Sequence, residues 1–276
     1  MKWLKEDLLK KLTFTTNCLL KKRQRSMDEE LKAKWKDFVK KNGDEAYCRI
    51  DKFLTDLEKA YKKNKVKEFQ RKGADFQTAS VKARQSWVVY VGNMLESIIH
   101  LAVEPIVKKY GAKIISDREI RRNTTNAELD LVRRALLVHF NRYSFLPDAD
   151  LVIYRYNKKQ NVVKILAILS VKNSFRERYT ETPYWKLKLK ESQITRGIRV
   201  FMVTTDRDDE ISYAEKPSKA RVILEYELDG VYITKKKEEF NASDKIGNLT
   251  DLFEELIRIL KDGDGGVPRD KTGKCF

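Results

Sequence analysis

The sequence predicts an α/β (α+β) fold with a mixed five-stranded sheet that is flanked by helices and preceded by a helical N-terminal module. Three features of the 276-residue chain support this prediction. Residues 1–72 contain no proline and one glycine, and their apolar residues recur at helical spacing. Residues 76–110 form a longer and more apolar helical pattern. Beyond residue 145, short continuous apolar runs appear, which are typical of buried strands.

The same features divide the chain into three predicted parts. Residues 1–75 are predicted to form the helical module, whose amphipathic helices are interrupted near Gly43. Residues 76–262 are predicted to form the core. The glycine-rich residues 263–276 are expected to form a flexible tail.

Composition indicates the class of partner. The chain has 58 Lys and Arg against 41 Asp and Glu, which gives a formal net charge of +17. Such an excess favours a polyanion, nucleic acid first and an acidic membrane surface second. We find no secretory signal, and the apolar runs are far shorter than the ~20 residues of a membrane helix. Cys18, Cys48 and Cys275 are widely spaced, which predicts a reduced intracellular protein without a disulfide or a cysteine-based metal site.

The first element of the predicted core is the helix over residues 76–110. It carries Glu96 and Glu104 on otherwise apolar faces. Glu96 follows Gly92 by four residues, so the two share one helix face. The missing side chain at Gly92 therefore leaves room for approach to the Glu96 carboxylate.

Helices and strands alternate in the rest of the core. A helix is predicted over residues 126–139, and a final helix over residues 249–260 begins after the capping residue Asn248. Strands are predicted over residues 150–154, 162–172 and 199–205. Residues 221–234 predict a further pair of strands with a turn at Leu228-Asp229-Gly230, because Asp-Gly is a turn signal.

A candidate active site lies where the first two of these strands meet. Asp148 and Asp150 stand at the start of one strand, and Lys172 ends the next after an apolar run. If the strands pair antiparallel through the turn at residues 157–161, Asp148 and Lys172 come to the same end of the hairpin. A carboxylate there can bind a hard divalent cation. A lysine can orient or deprotonate an attacking water and offset charge in the transition state.

The residues of this hairpin resemble a known nuclease signature. Pro147-Asp148, 21 intervening residues and Ser170-Val171-Lys172 resemble the PD-(D/E)XK motif of type II restriction endonucleases. Arg176-Glu177-Arg178 resembles the segment with which BsaWI-like enzymes read a CCGG core. The resemblance covers roughly residues 85–260. It favours Asp148 over its neighbour Asp150, because Asp148 belongs to the Pro-Asp dipeptide.

The resemblance implies an activity, a cofactor and partners. We expect Mg²⁺-dependent, sequence-specific hydrolysis of double-stranded DNA at a palindromic site with a GC core. A palindrome is read by a two-fold assembly, so a homodimer or a higher even oligomer is expected. The family further implies a restriction-endonuclease-like core over residues 76–262, a cognate DNA methyltransferase in the same cell, a cytoplasmic location in a prokaryote and no membrane partner.

One position departs from the signature. Ser170 stands where the motif has an acidic residue, and serine cannot supply the second anionic metal ligand. We expect Glu96 to supply it, because a glutamate on the preceding core helix does so in many restriction enzymes. Glu181 and Glu191 are the alternatives. The expected catalytic set is therefore Asp148, Lys172 and Glu96, with Asp148 and Glu96 as metal ligands.

The triplet after Lys172 is suited to a GC target. Guanine presents two acceptors in the major groove, and cytosine presents one amino donor. Arg176 and Arg178 have the fork geometry that matches guanine, and Glu177 can accept from the cytosine amino group.

Two other functions are compatible with the same residues. A structure-selective repair or junction nuclease shares the catalytic motif and differs only in not reading bases. A non-cleaving DNA-binding module on a nuclease scaffold is the alternative from another class, because Ser170 replaces an acid of the motif.

Overall fold

The computed structural model describes residues 29–122, 125–174 and 179–262. The chain forms two compact units, Met1–Gly43 and Asp44–Phe276. In the first unit, residues 29–42 form helix α1, on which the rings of Trp35 and Phe38 stack with centroids 5.8 Å apart. The predicted limits at residues 75 and 262 remain predictions, and the predicted tail at residues 263–276 lies outside the described residues.

The second unit contains the sheet and its helices, after a 3-10 helix at Gly43–Cys48. The helices are α2 (Ile50–Arg71), α3 (Phe76–Lys109), α4 (Asp117–Ile120), α5 (Ala127–Leu136), α6 (Glu181–Lys190), α7 (Lys219–Glu227) and α8 (Leu249–Asp262). The strands are β1 (Lys113–Ser116), β2 (Val138–Phe140), β3 (Tyr143–Phe145), β4 (Leu151–Asn157), β5 (Val162–Lys172), β6 (Arg199–Thr204), β7 (Gly230–Ile233) and β8 (Ile246–Asn248). A second 3-10 helix spans Lys237–Glu239.

Six strands form one mixed sheet in the order β1-β4-β5-β6-β7-β8. β4 pairs antiparallel with both β1 and β5, whereas β5, β6, β7 and β8 run parallel to one another. β2 and β3 form a separate antiparallel pair. The mixed α/β architecture predicted from the sequence is therefore confirmed, and it is consistent with a restriction endonuclease fold.

The sheet has six strands where five were predicted. β1 has four residues and β8 has three, so neither is long enough to show a clear alternation of side chains. Conversely, the first of the two strands predicted within residues 221–234 is absent, and the described chain forms helix α7 there. Ser218 caps this helix by accepting a hydrogen bond from the Arg221 backbone N–H at 3.0 Å, and Ala220 and Leu224 bury one helical face.

The predicted helix over residues 126–139 ends earlier, at Leu136. Val138 pairs with Phe145 in the β2–β3 hairpin, so the chain leaves the helix to form this pair. The final helix agrees with its prediction at the N-terminus. The Asn248 side-chain oxygen accepts hydrogen bonds from the backbone N–H groups of Thr250 (3.1 Å) and Asp251 (3.2 Å), which makes Asn248 the cap of α8.

Helices cover the sheet through two sets of apolar contacts. Strand residues Val152, Ile168 and Met202 belong to a buried cluster. The helical residues of the same cluster come from α4, α5, α6 and α7, and they include Ile120, Val132, Leu136, Leu189 and Leu224. α3 contacts β1, β4 and β5, and α8 contacts β7 and β8. Because neighbouring residues of a strand point to opposite faces, the continuous apolar runs of β4, β5 and β6 serve both sets.

α3 is the central helix of this unit. Asp75 caps its N-terminus, and its residues Leu95, Ile98, Ile99, Val103 and Val107 have no exposed surface. By length and composition it is also the one described helix that would suit a membrane span, a property it shares with core helices of folded domains. Its contacts with β4 and β5 bring Glu96 toward the start of the β4–β5 hairpin.

Candidate active site

The β4–β5 hairpin brings one lysine to two aspartates. The antiparallel register pairs Leu151 with Leu169, which places the start of β4 beside the end of β5. Lys172 Nζ lies 3.4 Å from Asp148 Oδ2 and 3.2 Å from Asp150 Oδ2. The structure therefore brings Asp148 and Lys172 together as the strand pairing predicts, and it adds Asp150 at an equal distance.

The two aspartates differ in their environment. The side chain of Asp150 is 20% exposed and that of Asp148 is 42% exposed. Asp150 Oδ2 also accepts a hydrogen bond from the Val171 backbone N–H at 2.6 Å. Burial raises the pKa of Asp150 above its usual range, although Lys172 and the Val171 N–H act in the opposite direction. Asp150 is thus the more rigidly held and the less solvated of the two.

Lys172 carries the positive charge that balances these carboxylates. Burial alone would lower its pKa, but the attraction of Asp150 and Asp148 outweighs burial and raises the pKa above the usual lysine range. In the absence of another cation, Lys172 is therefore protonated at neutral pH.

Glu96 belongs electrostatically to the same site. Burial raises the pKa of Glu96 to about 7, and repulsion from Asp150 adds to this rise. Arg118 and Lys172 act in the opposite direction. Asp150 is the acid that acts most strongly on Glu96, and the assignment of Glu96 as a metal ligand stays a prediction.

The two alternative acids lie at opposite ends of α6. Glu181 is the first residue of this helix. Glu191 follows its last residue, is exposed, and forms an ion pair with Lys188 at 2.6 Å. Neither residue appears among the charges that act most strongly on Asp150, Lys172 or Glu96.

Ser170 has a structural contact. Its side chain is 1% exposed, and its hydroxyl forms a hydrogen bond of 2.8 Å with the hydroxyl of Thr182 in the first turn of α6. α6 begins at Glu181, so Thr182 is its second residue and Pro183 its third. Pro183 therefore lies in the first turn, where its missing N–H costs no intrahelical hydrogen bond.

Residues 175–178, which include Arg176, Glu177 and Arg178, lie outside the described residues. The described residues before them are held by the loop after β6. The Thr205 hydroxyl donates to the Asn173 backbone oxygen (2.8 Å), and the Ser174 hydroxyl donates to Asp208 Oδ2 (3.0 Å). The chain is thus fixed for two residues beyond Lys172.

α4 also contributes to the site, and it was not predicted. The Asp117 backbone N–H donates to the Asp150 backbone oxygen at 3.0 Å, and an Arg121 Nη2 donates to the Pro147 oxygen at 3.3 Å. A helix of four residues has no apolar period, so periodicity cannot detect it. The capping box Ser116–Glu119 is the signal that could have found it, since the Ser116 N–H donates to Glu119 Oε2 at 2.9 Å.

The donor atoms are those that Mg²⁺ prefers. Within the ranges that the structure describes, no group of three or more His, Cys, Asp and Glu side chains is arranged to hold a metal ion. Mg²⁺, however, usually keeps several waters and is bound by one or two carboxylates together with substrate phosphate. Asp148 and Asp150 supply two such carboxylates beside a lysine that already balances their charge. The donor set therefore fits this metal.

Comparison with known proteins decides the family. Residues 128–255 match the family described as BsaWI restriction endonuclease type 2. The chain is 43% identical over 215 residues to a Methanocaldococcus jannaschii protein named as a type II restriction enzyme, MjaVIP, with 77% of this chain and 93% of the relative covered. This chain belongs to the type II restriction endonucleases. A Helicobacter pylori protein named as a type II restriction enzyme, HpyAORF263P, is 45% identical over 184 residues, with 67% and 93% covered.

This restriction endonuclease is a site-specific deoxyribonuclease, and DNA is its partner. The matched segment includes Asp148, Asp150 and Lys172, whereas Glu96 precedes it. The three residues at the hairpin end therefore lie in the part of the chain that matches the family.

Proposed function

We propose that this restriction endonuclease hydrolyses double-stranded DNA with the help of Mg²⁺ at a palindromic site with a CCGG-like GC core. The observation that carries the proposal is the position of Lys172 between Asp148 and Asp150, with the buried Glu96 acting on the same group of charges. Asp148, Lys172 and Glu96 are the proposed catalytic residues, and Asp150 joins them as a metal ligand.

Each residue has a chemical role in this proposal. Two of the three carboxylates of Asp148, Asp150 and Glu96 would hold Mg²⁺ together with waters and substrate phosphate. The bound metal would supply Lewis-acid polarisation of the phosphate and a more acidic water. Lys172 would donate a hydrogen bond to a phosphate oxygen or to the attacking water and offset negative charge in the transition state. Without a bound metal the attraction of Asp150 and Asp148 raises the pKa of Lys172, which supports the role of a hydrogen-bond donor.

Target reading and assembly extend the proposal beyond the catalytic centre. Arg176 and Arg178 would each donate two hydrogen bonds to the acceptors of one guanine, and Glu177 would accept a hydrogen bond from the cytosine amino group. Each good pair would favour the correct base over a wrong one by about 1–3 kcal/mol. Reading a palindrome calls for a two-fold assembly, so we propose a homodimer or a higher even oligomer. The proposed location is the cytoplasm of a prokaryote, with a cognate DNA methyltransferase in the same cell.

Digestion of plasmid DNA of known sequence tests this function. We expect discrete fragments with Mg²⁺, a common sequence at the fragment ends, and no product with EDTA. Nicking without a common sequence, or cleavage only at branched DNA, would favour the structure-selective nuclease. Retention on DNA without any product would favour the non-cleaving module.

The two aspartates can be ranked by substitution. Asp150→Asn is expected to lower the cleavage rate on the order of 10²–10³-fold, because it removes the buried carboxylate that acts on both Glu96 and Lys172. Asp148→Asn is expected to cause a smaller loss, because its side chain is twice as exposed. Single-turnover cleavage at saturating Mg²⁺ measures both. A larger loss at Asp148 would instead assign the principal metal contact to the Pro-Asp aspartate.

Glu96→Gln is expected to separate stability from activity. The raised pKa means that ionising Glu96 destabilises the fold as pH rises from about 4.5 to about 7. The variant should therefore be more stable than the wild type at pH 8, by about 1–3 kcal/mol after allowance for screening at its exposed edge, and equally stable at pH 4.

The same variant should also lose Mg²⁺-dependent cleavage. Thermal unfolding at the two pH values and a cleavage assay provide the readouts. Glu104→Gln on the same helix is the control, because Glu104 pairs with Lys108 at 2.8 Å. Full activity of Glu96→Gln, with loss in Glu181→Gln, would move the second ligand to α6.

A further inference from the structure

Gly92 is a glycine that the fold does not require. It lies inside α3, is exposed, and has an ordinary helical backbone conformation. A Cβ atom placed on it would meet no heavy atom within 4 Å. Gly92 therefore serves neither a positive φ nor close packing among the described residues, and glycine inside a helix lowers stability relative to alanine.

Gly92 lies close to Glu96 on the surface of α3. Residues four apart on a helix are neighbours on one face, and side chains lean toward the helix N-terminus. Positions 92 and 96 therefore lie on one face of α3. A long side chain at position 92 would project along the face that carries Glu96. Val88, one turn earlier on this face, is 66% exposed, so the approach along α3 is open.

Arg118 is a second charged residue that acts electrostatically on the same acid. It belongs to α4, the short helix whose first residue donates to the Asp150 backbone oxygen and whose neighbour Arg121 donates to the Pro147 oxygen. Arg118 is exposed, and in the described part of the chain its guanidinium has no hydrogen bond or ion pair. By contrast, Arg121 on the next turn is paired with Asp117 at 2.7 Å. Arg118 is thus an unpaired cation held at the edge of the site.

We propose that a DNA strand reaches the active site across the face of α3 at Gly92, and that Arg118 binds a phosphate of this strand next to the one that is cut. This inference rests on the proposed function, because it takes the ends of β4 and β5 as the place of cleavage. A sugar–phosphate chain needs a gap beside Glu96, which Gly92 provides. It also needs a cation with free donors, and a guanidinium binds phosphate oxygens in a fork geometry.

Arg118 is tested by the salt dependence of DNA binding without divalent metal. Arg118→Ala should weaken binding equally to a duplex with a CCGG core and to the same duplex without it. The slope of log K against log salt should become less steep by about 0.9, the value for one lost phosphate contact. Lys158→Ala is the control for net charge, since Lys158 lies in the β4–β5 turn about 30 Å from Lys172.

Gly92 is tested by side-chain size. Gly92→Ala should raise the Tm by about 2–4 °C, because it removes a helix glycine from an open position. Gly92→Leu should lower the cleavage rate at least ~10-fold, because it keeps the strand away from the carboxylate. Gly197→Leu is the matched control. Gly197 is also exposed, has an ordinary φ, and would place a Cβ atom within 4 Å of no heavy atom. It lies just before the N-terminal end of β6, whereas the candidate site lies at the other end of the sheet.

Several results would overturn the inference. The inference fails if Gly92→Leu cuts and binds DNA as Gly197→Leu does, or if Arg118→Ala keeps the full salt slope. A change in molecular mass of Gly92→Leu by light scattering would instead assign this face to a second copy of the chain. If the wild type does not cut DNA with Mg²⁺ while both variants still weaken binding, the proposed function fails and the DNA path stands.

Discussion

Lys172→Ala is expected to lower the rate of DNA cleavage by about 10²–10³-fold while leaving metal-free DNA binding largely intact. The reason is that Lys172 is the protonated donor at the end of β5, 3.2 Å and 3.4 Å from two carboxylates. Loss of one preorganised donor to a developing negative charge costs about this much in other enzymes. Cleavage is measured in single turnover, and binding is measured by anisotropy in EDTA.

The same variant has a second, independent readout. Without Lys172, the negative charges of Asp148 and Asp150 are uncompensated, so the Tm in EDTA should fall and Mg²⁺ should raise it more than in the wild type. Lys158→Ala at the far turn of the hairpin should change neither quantity. Cleavage at the wild-type rate by Lys172→Ala would remove this lysine from the mechanism and with it the central element of the proposed site.

Lys186→Met is expected to destabilise the fold by about 3 kcal/mol, the lower end of the cost of leaving a buried charge without its partner. Lys186 is 4% exposed; its Nζ donates to the Ile198 backbone oxygen at 2.9 Å and contacts the Asp229 carboxylate. Asp229 also accepts from Arg199 (3.0 Å) and from the Val200 N–H (2.7 Å), so part of its compensation remains. Urea unfolding measures the loss.

A double variant tests the cause of this loss. Lys186→Met combined with Asp229→Asn should recover a large part of the stability, because no buried charge is then left alone. The pair also predicts a pH dependence. Although burial opposes it, Lys186 holds the pKa of Asp229 below its usual range, so this stabilisation is present above about pH 4 and is lost as pH falls further. A double variant no more stable than Lys186→Met would refute this explanation.

The sequence predicts those parts of the site that follow from the spacing of residues along two adjacent strands. Asp148 lies nine residues before the turn at residues 157–161 and Lys172 lies eleven residues after it, so antiparallel pairing through that turn brings both to one end of the hairpin. The difference between Asp148 and Asp150 does not follow from spacing. It arises from burial and from the Val171 N–H, which depend on how α3 and α4 pack against the strand ends.

The errors in the fold have a similar origin. Val222, Leu224 and Tyr226 alternate in the way a strand does, whereas Ala220, Leu224 and Leu228 repeat in the way a helix does. Only packing against the sheet, together with the Ser218 cap, selects the helix. α4 escaped detection because four residues are fewer than two helical turns, although its capping box is visible in the letters Ser-Asp-Arg-Glu.

The hydrogen bond between Ser170 and Thr182 has a consequence for attempts to redesign this enzyme. An acid placed at position 170 would have to enter a closed interior next to a helix turn and lose that bond. Replacing Ser170 by the acidic residue of the motif would therefore lower the free energy of unfolding, and this loss would precede any gain in metal binding. What the chemistry requires is an oxygen at a given point in space, and a helix arriving from an earlier part of the chain can provide it as well as a strand.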